Sequence, residues 1–211
     1  MKSLLKSWKV KMETDPKRMD KISKTHFKDV YPQVADQIIQ RCGIKDGTCI
    51  DVGSGPGALA IAISKVTDLN IYSLDISAEM NQVAKRNIIK EKLHHKIFPV
   101  NGDAHNLPFS KDFAELIISR GSIFFWKNKE TCFKEIYRVL KPGGWAYIGG
   151  GFGSGELKNK INQSVNNSRT DHITVPKISI MTLELILNQV PIKNYQIIND
   201  NSGLWILFKK D

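Results

Sequence analysis

The chain has few cysteines and no long apolar run. Cys42, Cys49 and Cys132 are odd in number and widely spaced, without a C-x-x-C or Cys/His pairing. Neither a disulfide framework nor a zinc site is expected from such a pattern. No stretch approaches the ~18 apolar residues of a membrane span. The first residues, MKSLLKSWKVK, begin with a charge but never develop the uninterrupted apolar core of a signal peptide. These absences predict a soluble protein of the reducing cytoplasm with no bound metal. At 211 residues the chain is one domain's worth, long enough to bury roughly 70% of its unfolded surface. A composition 41% hydrophobic and 25% charged excludes wholesale disorder.

Acidic residues are outnumbered, and arginine is scarce. Thirty-one Lys and Arg face 21 Asp and Glu, a formal charge of +10 that raises the question of nucleic acid. Residues 1–28 hold nine of the cations against Glu13, Asp15 and Asp20, so much of the excess lies in an N-terminal arm. Only six of the cations are Arg, the side chain that reads phosphates and guanines bidentately. A solvated basic arm is expected ahead of an RNA-binding one, and nucleic acid is a disfavoured partner.

What is present is an alternation of strands and helices. Residues 14–41 should be largely helical, with Ile22, Phe27, Val30, Val34, Ile38 and Ile39 at three- and four-residue spacing. Pro32 is expected to break or kink that segment. Strands are expected at 48–52, 70–75, 96–100, 114–119, 145–148, 194–198 and 204–209, and helices at 58–66, 77–91, 129–140 and 181–190. Ser77 suits an N-cap, and Pro142-Gly143-Gly144 should stop the helix before it. The polar segment 154–180 is expected to be partly helical. The last two strands, joined by Asp200-Asn201-Ser202-Gly203, read as a hairpin that adds an antiparallel strand at or near the sheet edge. The pattern predicts an α/β fold, a three-layer αβα arrangement around a mostly parallel sheet. Residues 1–211 form one expected domain, with 1–42 a helical arm or lid, 43–150 a ligand-binding core, and 151–211 a substrate-side segment ending in the hairpin.

Ile50-Asp51-Val52-Gly53-Ser54-Gly55-Pro56-Gly57 lies between an expected strand and helix. Glycines there let the backbone turn sharply and admit a ligand close to the main chain. A dinucleotide-binding domain is the competing reading. Against it, the spacing is G-x-G-x-G, and Asp51 would repel a pyrophosphate while suiting an ammonium group. Asp75 ends the next strand, 20 residues beyond Gly55, where an acid meets ribose hydroxyls in a nucleotide-binding βαβ unit. After the third strand comes NGDAHNLPF, residues 101–109. Asp103 there can accept from an exocyclic amine, and its apolar neighbours can flank a purine.

Together these segments resemble the class I S-adenosylmethionine-dependent methyltransferases, most closely the small Type 11 group that includes ubiquinone and menaquinone methyltransferases. IDVGSGPG looks like the family's first motif, LDISAEM its ribose-binding acid motif and NGDAHNLPF its adenine loop; YRVLKPGG is similar to its turn before the fifth strand. The resemblance spans roughly residues 46–150. It implies a Rossmann-like seven-stranded sheet with the last strand antiparallel, and S-adenosyl-L-methionine as cofactor. Carried over by position, it implies that Asp51, Gly53 and Gly55 hold the methionine end. Asp75 would bind the ribose, Ile76 would lie against the adenine, and Asp103 and Ala104 would meet the adenine edge. Ser54, Gly57, Met80, Gly102 and Ser119 fall on further cofactor-site positions.

The resemblance does not name the methyl acceptor. ISRGSIFFW, residues 118–126, should face the transferring methyl and lacks the Asn/Asp-Pro-Pro-Tyr pattern associated with planar-nitrogen acceptors. Arg120 could hold a substrate anion or pair with an acid at the sheet edge. The aromatics Phe124, Phe125 and Trp126 are expected to be partly core. Gly149, Gly150, Gly151 and Gly153 could line a tight pocket or form a hinge. No catalytic residue is identified; Tyr31, His26 and Arg120 are candidates, with His105 and His172 as further candidate bases. The expected activity is in-line methyl transfer to a small-molecule acceptor. The competing readings are an RNA methyltransferase guided by the basic arm, a non-catalytic S-adenosylmethionine-binding protein and, more distantly, an NAD-dependent dehydrogenase.

Overall fold

A computed structural model of the chain describes residues 15–166 and 176–211. The helical segment at the N-terminus is two helices, α1 (Pro16–Lys24) and α2 (Val30–Cys42). The break falls between them, before Pro32. Pro32 sits in the first turn of α2, where an absent N–H costs nothing, so it does not break the helix there. Asp15 caps α1 by accepting from the Lys17 amide, and Gly43 ends α2 at a φ of 71°. The basic residues 2–11 lie outside the described residues.

Five parallel strands follow in alternation with helices: β1 (Thr48–Val52), α3 (Ala58–Ser64), β2 (Asn70–Asp75), α4 (Ala78–Lys90), β3 (Ile97–Asn101), β4 (Ala114–Arg120), α5 (Lys129–Val139) and β5 (Leu140–Gly151). Then come α6 (Gly155–Asn166), α7 (Ile180–Leu187), β6 (Tyr195–Asp200) and β7 (Gly203–Lys209). The seven strands run in the order β3-β2-β1-β4-β5-β7-β6. β7 is antiparallel to both neighbours, β5 and β6. The hairpin therefore inserts its second strand inside the sheet and leaves its first at the edge.

Alternation along the strands divides the core in two. Ile50, Ile117, Ile148, Ile206 and Phe208 face α5 and α7. Cys49, Ile118, Tyr147, Trp205 and Leu207 face α2, α3 and α4. Each large apolar side chain buried this way contributes about 1.5–3 kcal/mol. Trp126 is buried against Phe133, as expected of that aromatic group.

β5 starts at Leu140, directly after α5, and includes the Pro142-Gly143-Gly144 segment; the register against β4 shifts between Ala114 and Leu116. The helix thus ends in a strand rather than in a loop. Gly149, Gly150 and Gly151 are paired strand residues opposite Trp205, Leu204 and Gly203, so they form no hinge. A Cβ at Gly149 would lie 2.1 Å from the Leu204 carbonyl oxygen, and one at Gly150 2.5 Å from the Phe124 ring. The missing side chains are replaced by close-packed neighbours, not by an open pocket.

Candidate active site

The C-terminal ends of the parallel strands gather the chemistry, and β1 lies between β2 on one side and β4 on the other. Such a strand pair is where open α/β sheets take ligands. The loop leaving β1 places Gly53, Gly55 and Gly57 at φ of 69°, 58° and 81°, a region costly for residues with a Cβ. The Gly53 and Ser54 amides both donate to the Leu74 carbonyl, at 2.8 and 2.9 Å, folding the loop against β2. A Cβ on Gly55 would meet nothing within 4 Å, so that side of the loop is open.

Asp51 is 1% exposed. It accepts from the Ser54 hydroxyl at 2.8 Å, and Ser54 accepts in turn from Ser73. No Lys or Arg nitrogen among the described residues lies within 4.0 Å of it. Burial pushes its carboxyl up to about 7, with Asp75 adding to the rise; hydrogen bonds from Ser54 and the Ala60 backbone and the charge of Arg120 oppose it. Asp75 is held by the same loop: the Gly55 amide donates to one oxygen at 2.9 Å and the Ser77 amide to the other at 3.0 Å. Burial raises its carboxyl pKa despite these bonds. Beside it, Ile76 is 70% exposed. Ser77 caps α4 through the Met80 amide, and the Met80 side chain is buried.

Asp103 curls onto its own turn, accepting from the His105 amide at 2.9 Å and pairing with His105 Nδ1 at 2.6 Å. Partial burial pushes its carboxyl up, but the bonds and ring of His105 outweigh this and hold it low. Ala104 is buried beside it. The Gly102 amide donates to the Asp75 carbonyl at 3.1 Å, joining this turn to the end of β2. Gly57 serves packing: its Cα faces Ala84 of α4 across a gap that an added Cβ would close to 3.4 Å.

On the other side of β1, the Ser119 and Ser122 hydroxyls meet at 2.6 Å, and Ser122 donates to the Val52 carbonyl at 2.9 Å. The Arg120 guanidinium lies over the rings of Phe27 and Tyr31, 4.8 and 5.0 Å from their centroids, and donates its Nε–H to the Gly151 carbonyl at 3.0 Å. No acid among the described residues lies within 4.0 Å of it, so the expected alternative of a carboxylate pair is not met. Burial raises the pKa of the Tyr31 phenol, with the charge of Arg120 opposing the rise and that of Asp51 adding to it. His26 meets Ser164 of α6 at 2.7 Å. His105 is committed to Asp103 and to the Asn128 amide. His172 lies outside the described residues.

A family described as a methyltransferase domain matches residues 50–148. A candidate S-adenosyl-L-methionine-dependent methyltransferase of solved structure, from Methanococcus maripaludis, is 44% identical, with 92% of this chain and 91% of that one aligned at a TM-score of 0.85. The chain belongs to the S-adenosylmethionine-dependent methyltransferases. This methyltransferase is also similar to the 2-methyl-6-phytyl-1,4-hydroquinone methyltransferase of Arabidopsis thaliana, 41% identical over 49% of the chain and 30% of the relative. It is 29% identical to the sterol 24-C-methyltransferase of Aspergillus fumigatus over 82% of the chain and 44% of the relative. The chain thus spans less than half the length of these curated relatives.

Some residues of the methyltransferase site are not apparent from motifs. Arg138 donates to the carbonyls of Leu107 and Phe109 while paired with Glu135, and Glu135 accepts from the Leu107 amide. The pair clamps the 101–109 turn onto α5. Their i,i+3 spacing on a helix is a visible signal, but their partner loop is not. Phe27, which covers Arg120, reads in sequence only as one apolar position of a helix.

Proposed function

We propose that the chain transfers a methyl group from S-adenosyl-L-methionine to a small-molecule acceptor. The observation that carries this is the coupling of two strand-end acids to one open glycine turn: Asp51 through Ser54, Asp75 through the Gly55 amide. The residues suit the cofactor. Asp51 is a buried carboxylate without a cation, ready for an ammonium group. Asp75 already has its oxygens oriented by backbone amides and can accept from two ribose hydroxyls. Ile76 offers an exposed apolar surface to a purine, with Asp103 and Ala104 at its edge. Gly53, Ser54, Gly55, Gly57, Met80, Gly102 and Ser119 shape and support this cradle. When bound, the cofactor supplies a sulfonium-linked methyl open to in-line displacement.

The protein's own task is placement. The Gly55 turn admits the ligand, and the acids at the ends of β1 and β2 hold its amino-acid end and its ribose. Holding nucleophile and methyl at ~3–3.5 Å in line accounts for several kcal/mol of barrier reduction. α1 and α2, which bring Phe27 and Tyr31 over Arg120, act as the lid of the single domain and exclude water. Three free, buried cysteines support a reducing, cytoplasmic location. Among the described residues no helix is long and apolar enough to cross a membrane.

Calorimetric titration with S-adenosyl-L-methionine tests the reading. Asp75→Ala should weaken binding at least about tenfold, since hydrogen bonds to a charged group contribute about 1.5–3 kcal/mol. Wild-type protein giving no heat and no thermal protection would overturn the proposal. A screen of thiols, amines and phenols for S-adenosylhomocysteine release then separates turnover from binding alone.

A further inference from the structure

The inference concerns the acceptor and rests on the methyltransferase reading above. We propose that Arg120, held over the rings of Phe27 and Tyr31, binds a carboxylate of the methyl acceptor, so that the substrates are small carboxylic acids.

Arg120 makes no ion pair among the described residues, although the charge of Asp51 acts on it. Its Nε–H is satisfied by Gly151, while its Nη groups donate to no described residue and no acid lies within 4.0 Å. Arg120 is half-buried, and a guanidinium keeps its charge at any physiological pH. The guanidinium lies over the Phe27 and Tyr31 rings at 4.8 and 5.0 Å and the Nε–H is tied to the main chain. What remains free is the Nη edge, the part that meets a carboxylate in a two-bond fork.

Position separates this anion from the cofactor's nucleoside. The acids Asp51, Asp75 and Asp103 follow β1, β2 and β3 toward one edge of the sheet. Arg120 ends β4, two residues past Ile118, the register partner of Asp51, and leans toward Gly151 of β5. It therefore lies on the opposite side of β1 from the ribose and adenine positions. An acceptor attacking in line must approach from a side the nucleoside does not fill. The rings of Phe27 and Tyr31 also give such a substrate an apolar wall.

The test uses full-length protein saturated with S-adenosylhomocysteine and titrated with benzoate, phenylacetate and 3-mercaptopropionate, each beside its amide. At least one acid should bind about tenfold or more tightly than its amide, as expected for charge-assisted hydrogen bonds. The difference should vanish in Arg120→Gln and persist in reduced form in Arg120→Lys. S-adenosylhomocysteine affinity should stay within about threefold, under 1 kcal/mol. No acid preference in wild-type protein that binds S-adenosylhomocysteine overturns this inference alone. So does a preference that survives Arg120→Gln. Loss of S-adenosylhomocysteine affinity in Arg120→Gln, with 5′-methylthioadenosine binding unchanged, would assign the guanidinium to the cofactor's carboxylate instead. Wild-type protein that binds no S-adenosylhomocysteine removes the methyltransferase reading itself.

Discussion

Asp51 is an acid deep in the core near the end of β1, and with Asp51 as the ammonium partner proposed above, its titration should make cofactor binding and stability depend on pH in opposite directions. In the ligand-free fold burial pushes its carboxyl up to about 7, against about 3.9 in an unfolded chain. Between those values the folded state binds more protons, so this group lowers stability as pH rises toward 7 and has no further effect above it. An ammonium ligand needs the ionised form. S-adenosylhomocysteine should therefore bind about tenfold more tightly at pH 8 than at pH 6, following the ionised fraction. Calorimetry in buffers of different ionisation heat should detect proton release near pH 6. Asp51→Asn should abolish the pH dependence, weaken binding at pH 8 and raise the melting temperature of the ligand-free protein there. A fall in that melting temperature would show that the buried carboxylate is not the unpaired group described.

At the level of elements, β5 shows how local composition can mislead. Its glycines suggest a pocket or hinge, yet they lie in register with β7, and the space of their side chains is taken by the hairpin main chain at Gly149 and Gly151 and by the Phe124 ring at Gly150. The neighbours differ in how far they can yield. Gly149→Ala meets main chain at 2.1 Å, whereas Gly150→Ala meets the Phe124 ring at 2.5 Å. The ring can turn; the β7 backbone cannot move without losing its pairing. Overpacking costs about 1–3 kcal/mol, and Gly149→Ala should melt at the lower temperature of the two. An equal, negligible effect of both would return the segment to the pocket reading. The 101–109 turn is a second case. Its motif was visible, but the clamp from Glu135 and Arg138 that sets its shape comes from another element.

Across the whole molecule, stability and binding are anchored at opposite ends of the sheet. Lys210, just past β7, is buried and donates to the carbonyls of Tyr137 and Leu140 and to Asp112, all at 2.7–2.8 Å. Its amide and carbonyl also pair with Gly144 and Gly143 at the start of the main pairing of β5. Losing the charged hydrogen bonds of the buried Lys210 amine to these carbonyls costs about 1.5–3 kcal/mol, and a domain of this size loses about 2–4 °C per kcal/mol. Lys210→Ala should lower the melting temperature by about 3–12 °C while S-adenosylhomocysteine affinity at low temperature is unchanged. A parallel loss of affinity would mean that the two ends of the sheet are coupled. The sequence alone determined the alternation of elements, the glycine turn and the acids at 51 and 75, because apolar periodicity, turn chemistry and capping are local and leave their mark on neighbouring positions. The tertiary structure decided that β7 enters the sheet, that the space beside the β5 glycines is filled, and that Phe27 and Tyr31 lie against Arg120. Those outcomes depend on contacts between distant segments, and no spacing along the chain encodes which side chain from afar will occupy a given space.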